Sequence, residues 1–162
     1  MIKQALLTQL GFTHYSIKKN LEGITHAESL ERPGNAGNGI NWVLGHIVNS
    51  RGLFTKHFDA DPPLDEASAK LYSRGAEPIG AGSDAVQLEE LTRLLDASQE
   101  RISGLLREAD DAFLAAEVPQ LFDPDKTQPR GVQFAAVLFH ESYHAGQLGS
   151  IRSALGKGGA IQ

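Results

Sequence analysis

The 162-residue sequence contains no cysteine. That excludes disulfide scaffolds, iron–sulfur clusters, thiolate zinc fingers and cysteine nucleophiles. Any metal must be held by nitrogen and oxygen, and any thiol chemistry needs a thiol from outside. Long apolar runs are missing too, and none approaches the ~18 residues of a membrane helix. The opening stretch, Met1 to Leu10, has one lysine and is interrupted by Gln4, Thr8 and Gln9. It lacks the apolar core and cleavage site of a signal peptide. Positive charge is scarce: 15 Lys and Arg stand against 20 Asp and Glu, for a net charge of −5. A non-specific nucleic-acid surface wants the opposite balance. Strand signals are weak throughout. These absences point to a cytoplasmic protein with neither nucleic-acid nor membrane partners. The missing cysteines permit that compartment without requiring it.

What is present is a globular composition, 41% hydrophobic and 22% charged. The length suits one domain, residues 1–162, and a chain of this size buries about 68–70% of its unfolded surface. Four segments carry helical periodicity. The first spans about Ile2 to Leu30, with Leu7, Leu10, His14, Ile17, Leu21 and Ile24 at alternating steps of three and four. The second spans about Ile40 to Phe58, with Asn38 or Asn41 as candidate caps. The third spans about Asp84 to Ala109, opened by Ser83 or Asp84. The fourth spans about Val132 to Leu155 and stops at Gly156. The link from Glu31 to Gly39 is short. The link from Ala60 to Ser83 is long and rich in Pro and Gly, which suits a crossover. Asp110 to Arg130 is also long, broken by Pro119, Pro124 and Pro129, and its Phe113 and Phe122 are expected to pack on the bundle. The predicted fold class is all-α, a four-helix bundle with a long connection between the second and third helices.

Six histidines offset the missing cysteines. His140 and His144 are four apart and share one helical face. They lie on the stripe of Val137, Leu148, Ile151 and Leu155, so they point towards the core. Buried imidazoles without partners cost ~1–3 kcal/mol each, and a shared metal satisfies both. The bland alternative is a pair of hydrogen-bonded histidines. No His, Asp or Glu follows His144, so a third ligand must come from upstream. His46 is the best candidate, on a face with Trp42, Ser50 and Leu53. Gly45, Gly146 and Gly149 remove bulk for a close helix–helix approach. His14 sits on the first seam as a substrate contact, a core histidine or a fourth ligand. His57 reads as a helix-end surface residue and His26 as solvated.

Glu141 makes His140-Glu141-Ser142-Tyr143-His144 a formal H-E-x-x-H, in which the Glu is a general base beside a zinc water. The alternative is a solvated carboxylate or a partner for an Arg. Gln147 lies near the His pair on the helical wheel and can support an imidazole N–H. Tyr143 and Trp42 flank the pair as pocket walls or as core. Asp59, Asp61, Asp65 and Glu66 lack calcium-loop spacing and read as a solvated loop.

Trp42-Val43-Leu44-Gly45-His46-Ile47, followed by His140-Glu141-Ser142-Tyr143-His144-Ala145-Gly146-Gln147-Leu148 and then Leu155-Gly156, resembles the DinB/YfiT-like family of metalloenzymes. The resemblance covers nearly the whole chain. It implies a four-helix bundle of up-down-down-up topology with one divalent metal on His46, His140 and His144. Zn suits such a site best, and Ni, Fe, Mn or Co could occupy it. Relatives include thiol S-transferases and a thiol-dependent maleylpyruvate isomerase. The resemblance therefore implies a small-molecule substrate, a low-molecular-weight thiol co-substrate and a homodimer. Two other readings stay open: a metal-dependent hydrolase using Glu141, and a non-enzymatic dimerising module.

Overall fold

Steps of three and four in the opening segment build α1, Ile2–Leu21. It buries Leu6, Leu10, Thr13, Ile17, Asn20 and Leu21. The expected helix to Leu30 breaks at Gly23, which adopts φ 70°, a left-handed turn that glycine enters at no steric cost. A fresh turn, α2 at His26–Ser29, follows. Thr25 opens it with a capping box: its hydroxyl accepts from the Glu28 N–H, and the Glu28 carboxylate accepts from the Thr25 N–H at 2.8 Å. The computed structural model describes residues 1–35, 37–121 and 123–160. Phe122 lies outside them.

The second predicted helix has the expected extent but is segmented. It comprises α3 (Ile40–Ser50), α4 (Gly52–Thr55) and a 3-10 turn to Phe58, closed by Asp59 at φ 52°. Neither expected asparagine caps it. Gly39 does, pressed so near the Glu31 and Ser29 carbonyls that a Cβ would sit 2.7 and 2.8 Å from their oxygens. Asn41 is buried instead, donating to the Val86 carbonyl and accepting from the Tyr72 hydroxyl. The crossover contains α5, Glu66–Leu71. Asp65, placed above in a solvated acidic loop, caps this helix by accepting from the Ser68 N–H at 2.8 Å.

The third helix, α6, starts at Leu88 rather than Asp84 and ends at Glu108. Its first N–H is accepted by His26 Nδ1 at 3.2 Å, so His26 holds two elements together rather than being merely solvated. A short α7, Asp111–Ala115, precedes an antiparallel ribbon of β1 (Glu117–Pro119) and β2 (Thr127–Pro129). This ribbon is a departure from the expected loop. Pro119 and Pro129 stand at strand ends, where a missing N–H does little harm. Phe113 stacks on Phe58 at 4.7 Å, as expected of a packed loop. The last helix, α8, is Arg130–Ala154, and Gly156 at φ 75° ends it.

The fold is mainly helical, and four long elements surround the core. α1 borders α8 and α6, and α3 borders the same two. Thr13 meets Ser142 and Asn20 meets Ala145 across α1 and α8. Arg51, between α3 and α4, reaches the Leu95 carbonyl on α6, and Phe54 stacks on Phe134 of α8. Two apolar clusters result. One gathers Ile17, Val43, Ile47, Tyr72, Leu91 and Leu148; the other gathers Leu10, Phe54, Ile102, Leu106, Phe134 and Leu138. Among the described residues, no helix is long and apolar enough to cross a membrane.

Candidate metal centre

The centre is built by α3 and α8. His46 is on α3, while His140 and His144 stack one turn apart on α8. Their metal-capable nitrogens form one group within 4.8 Å. His140 Nε2 lies 3.2 Å from His46 Nε2 and 3.1 Å from His144 Nε2. The three imidazoles meet nearly edge to face.

Hydrogen bonds outside the cluster set its chemistry. His46 Nδ1 is 2.7 Å from the Tyr72 carbonyl oxygen. A carbonyl only accepts, so Nδ1 carries the proton and Nε2 carries a lone pair. His144 Nδ1 is 2.9 Å from Gln147 Oε1, which assigns the same tautomer. Two lone pairs thus converge on the nitrogen of a third ring. A single bridging proton can satisfy one of those contacts, whereas a shared cation satisfies all three rings. Zn–N bonds of ~2.0–2.1 Å give a tetrahedral edge of roughly 3.3 Å, close to the two observed separations. The donor set fits a divalent metal.

Electrostatics agree. Burial, with help from His144 and His46, pushes the His140 pKa down to about 4. Burial also lowers that of His144, against the hydrogen bond it donates to Gln147, which raises it. Both rings are therefore held neutral, the form that ligates metal.

A cavity of about 410 Å³ opens on the triad. Trp42, Leu53, Leu121 and Val137 wall it, with Ser50 and an exposed Arg74. Trp42 stacks flat on His46 at 4.8 Å, and its buried indole N–H has no partner. Tyr143 meets His144 edge-on at 5.2 Å but is largely exposed rather than core.

Glu141 departs from the expectation of a base. It is buried at 2% exposure, and Arg51, at 0%, holds both its oxygens. Nε lies 3.1 Å from Oε2, and Nη2 lies 2.6 Å from Oε1. One residue along a helix turns the side chain by about 100°, so Glu141 faces the core while His140 faces the cavity. His14 is not a fourth ligand either. Its Nε2 lies 3.3 Å from Asp96, burial lowers its pKa, and its Nδ1 is unpaired. His57 packs edge-on against Phe134 at 5.4 Å, away from the triad.

Of the three glycines, Gly149 alone serves a close helix–helix approach, of α8 to α1. Gly45 makes room for the Tyr72 ring, not for another helix: a Cβ there would sit 2.2 Å from the ring. Gly149 faces the Asn20 amide at 3.3 Å, and Gly146 faces open space. Sequence reasoning missed Tyr72, Arg51 and Arg74. Only the Gly45 gap hinted that something packs on α3 beside His46.

A helical bundle that carries three convergent imidazoles at one cavity defines the class. Residues 9–148 match the model of the DinB superfamily, and the chain belongs to that superfamily. Its fold is similar to a crystal structure described as the conserved protein of locus from Enterococcus faecalis. The two share 16% identity over 94% of this chain and 95% of that one, with a TM-score of 0.71. That likeness is one of fold. No curated protein matches the chain.

Proposed function

We propose that this DinB-superfamily chain is a divalent-metal-dependent transferase that activates a low-molecular-weight thiol towards a small electrophile. The observation that carries this reading is the convergence of the three Nε2 atoms at the cavity floor. The reading includes an up-down-down-up bundle. It is supported by contacts that set α1 alongside α8 and α3 alongside α6 in matching chain order, Asn41 near Val86 and Arg51 near Leu95. A cytoplasmic setting, where small thiols stay reduced, belongs to the same proposal.

His46, His140 and His144 would hold the metal, and Zn suits three imidazoles best. A bound divalent ion supplies Lewis acidity that favours the thiolate or hydroxide form of a ligand on its open side. Tyr72 and Gln147 keep the Nε2 lone pairs of His46 and His144 aimed at that point. Trp42, Leu53, Leu121 and Val137 exclude water from the approach. Arg74 offers the cavity's cation for an anionic group on the substrate.

Thiol is preferred to water for a chemical reason. No carboxylate lines the cavity among the described residues, and the nearest in sequence, Glu141, is occupied by Arg51. A thiol starts near pKa 8.5 and needs little help to ionise, whereas water starts near 15.7. Tag-free protein loaded with Zn, incubated with glutathione, bacillithiol or mycothiol and a chromogenic electrophile, is expected to consume thiol. Metal-dependent ester or amide turnover without thiol would instead favour a hydrolase, and inactivity across the panel a binding module.

A further inference from the structure

The histidine cavity does not end at its own wall. Ser50 and Leu53 line it, and the same two residues line a second hollow of about 580 Å³ beside α4. Asn49, Lys56, Asp59 and Pro62 line the far part of that hollow. A molecule held at the triad can therefore extend past Leu53 without leaving the surface of one helix. Asn49 donates to the Ala69 carbonyl at 3.3 Å, and its own amide oxygen accepts from no group among the described residues.

The hollow holds one cation and one anion, the ammonium of Lys56 and the carboxylate of Asp59, both exposed. They are three apart across the 3-10 turn Lys56–Phe58, where residues at that spacing share a side. Opposite charges three apart close on each other at Lys19 and Glu22, at Glu90 and Arg93, and at Asp123 and Lys126, with separations of 2.8, 2.6 and 2.6 Å. Lys56 and Asp59 do not. Neither makes an ion pair, with the other or with any group among the described residues. Asp59 adopts φ 52° and ψ 36°, a left-handed turn that takes the chain off the helical path. The hollow thus keeps two opposite charges open to a ligand.

We propose, building on the thiol-transfer reading above, that this hollow is the subsite for the body of the thiol co-substrate. It selects a thiol that ends in a free α-amino acid, as a γ-glutamyl peptide thiol does. Such an end carries an ammonium and a carboxylate on one carbon, complementary to Asp59 and Lys56. A thiol ending in a neutral sugar leaves both residues unmatched. One ending in two carboxylates meets Asp59 as a like charge, which costs affinity. Reach agrees. Ser50 and Lys56 are six residues apart, ~9 Å of helical rise. The peptide part of such a thiol spans roughly two extended residues, ~7 Å, before the lysine stem is counted. The sulfur then lies at the triad while the amino acid end lies between Lys56 and Asp59. Arg74, in the histidine cavity itself, is left for the electrophile.

Calorimetric titration of the Zn-loaded, tag-free chain with S-methylglutathione reads the hollow alone, because that probe has no thiol to offer the metal. Binding is expected at millimolar probe or below. Lys56→Gln and Asp59→Asn should each weaken it about three- to fivefold, the worth of one exposed charge pair. Asparagine also tolerates the left-handed turn, so the second variant keeps the local fold. Lys70→Gln, at an exposed lysine of α5 outside the hollow, should bind the probe as the wild type does. N-acetyl-S-methylglutathione lacks the ammonium. It should bind the wild type about three- to fivefold more weakly than the parent probe, and Asp59→Asn with no such loss. The ligand arm keeps the test valid if Lys56→Gln fails to fold. In turnover, kcat/KM for glutathione relative to 2-mercaptoethanol should fall in both hollow variants. The proposal is overturned by absence of binding at millimolar probe, or by binding indifferent to both substitutions and to acetylation. Metal-dependent consumption of glutathione and 2-mercaptoethanol without preference also overturns it, and leaves thiol transfer standing. The expected binding pattern in a chain that consumes no thiol would uphold the hollow as an amino acid site and overturn the transfer reading instead.

Discussion

His140 and Glu141 are neighbours in sequence and opposites in circumstance. Glu141 faces a closed polar knot, in which Arg51 also reaches the Leu95 carbonyl, Ser98 and Gln99. His140 faces a cavity in which ring nitrogens crowd one another around a shared centre. A fully paired buried cluster contributes mainly by not being broken. A cluster whose donors converge without enough protons is a site that calls for a ligand. The same helix thus anchors itself on one side and presents chemistry on the other.

That contrast can be broken in order of expected effect. The largest is loss of metal: His144→Ala or His46→Ala should take bound metal from one ion per chain to near zero in tag-free protein, with the helical signal kept. Equal metal content in variant and wild type would end the triad reading. Next is the closed knot. Arg51→Met leaves a buried carboxylate unpaired and should cost about 3–5 kcal/mol in denaturant unfolding. Arg51→Met/Glu141→Met should recover most of that loss; if it does not, the pair does more than satisfy itself.

Smaller effects test how the two sides are joined. Gly45→Ala forces a methyl into the Tyr72 ring and should cost about 1–3 kcal/mol, as overpacking does. It should also weaken metal binding, because the Tyr72 carbonyl orients His46. Gln147→Leu removes the acceptor for His144 Nδ1 and should lower metal affinity about 10–100-fold at nearly unchanged stability. Calorimetric titration with Zn separates that outcome from a stability defect. The smallest effect is acid sensitivity of the metal-free protein. His140 titrates near 6.5 when unfolded and near 4 when folded, so the unfolded chain binds the proton first. Stability should therefore fall as pH drops from about 6.5 towards 4, and His140→Gln should flatten that slope. An unchanged slope would mean that other groups, such as His57, which burial also lowers, dominate the window.

Much of the site was legible in one dimension. The i, i+4 spacing of His140 and His144 puts two ligands on one face wherever the helix goes. Gln147 followed from the same wheel. Glu141 was ambiguous, because a helical position fixes a direction but not what stands there. The α3–α8 packing had to bring Arg51 opposite before its role was decided. The periodicity overruns the first helix because the apolar pattern continues past Gly23, where the left-handed φ ends it. The β1–β2 ribbon was invisible because three-residue strands between prolines carry no periodicity.

The sequence by itself determined the helical class, the cysteine-free donor set and the shared helical face of His140 and His144. Those follow from local spacing and composition, which do not depend on the rest of the chain. The tertiary structure alone decided which nitrogens face inward, what fixes their tautomers and where the carboxylate of Glu141 goes. These depend on a backbone carbonyl at Tyr72 and a guanidinium at Arg51, 26 and 90 positions from their partners. No local pattern encodes such contacts, because packing rather than spacing brings them within reach.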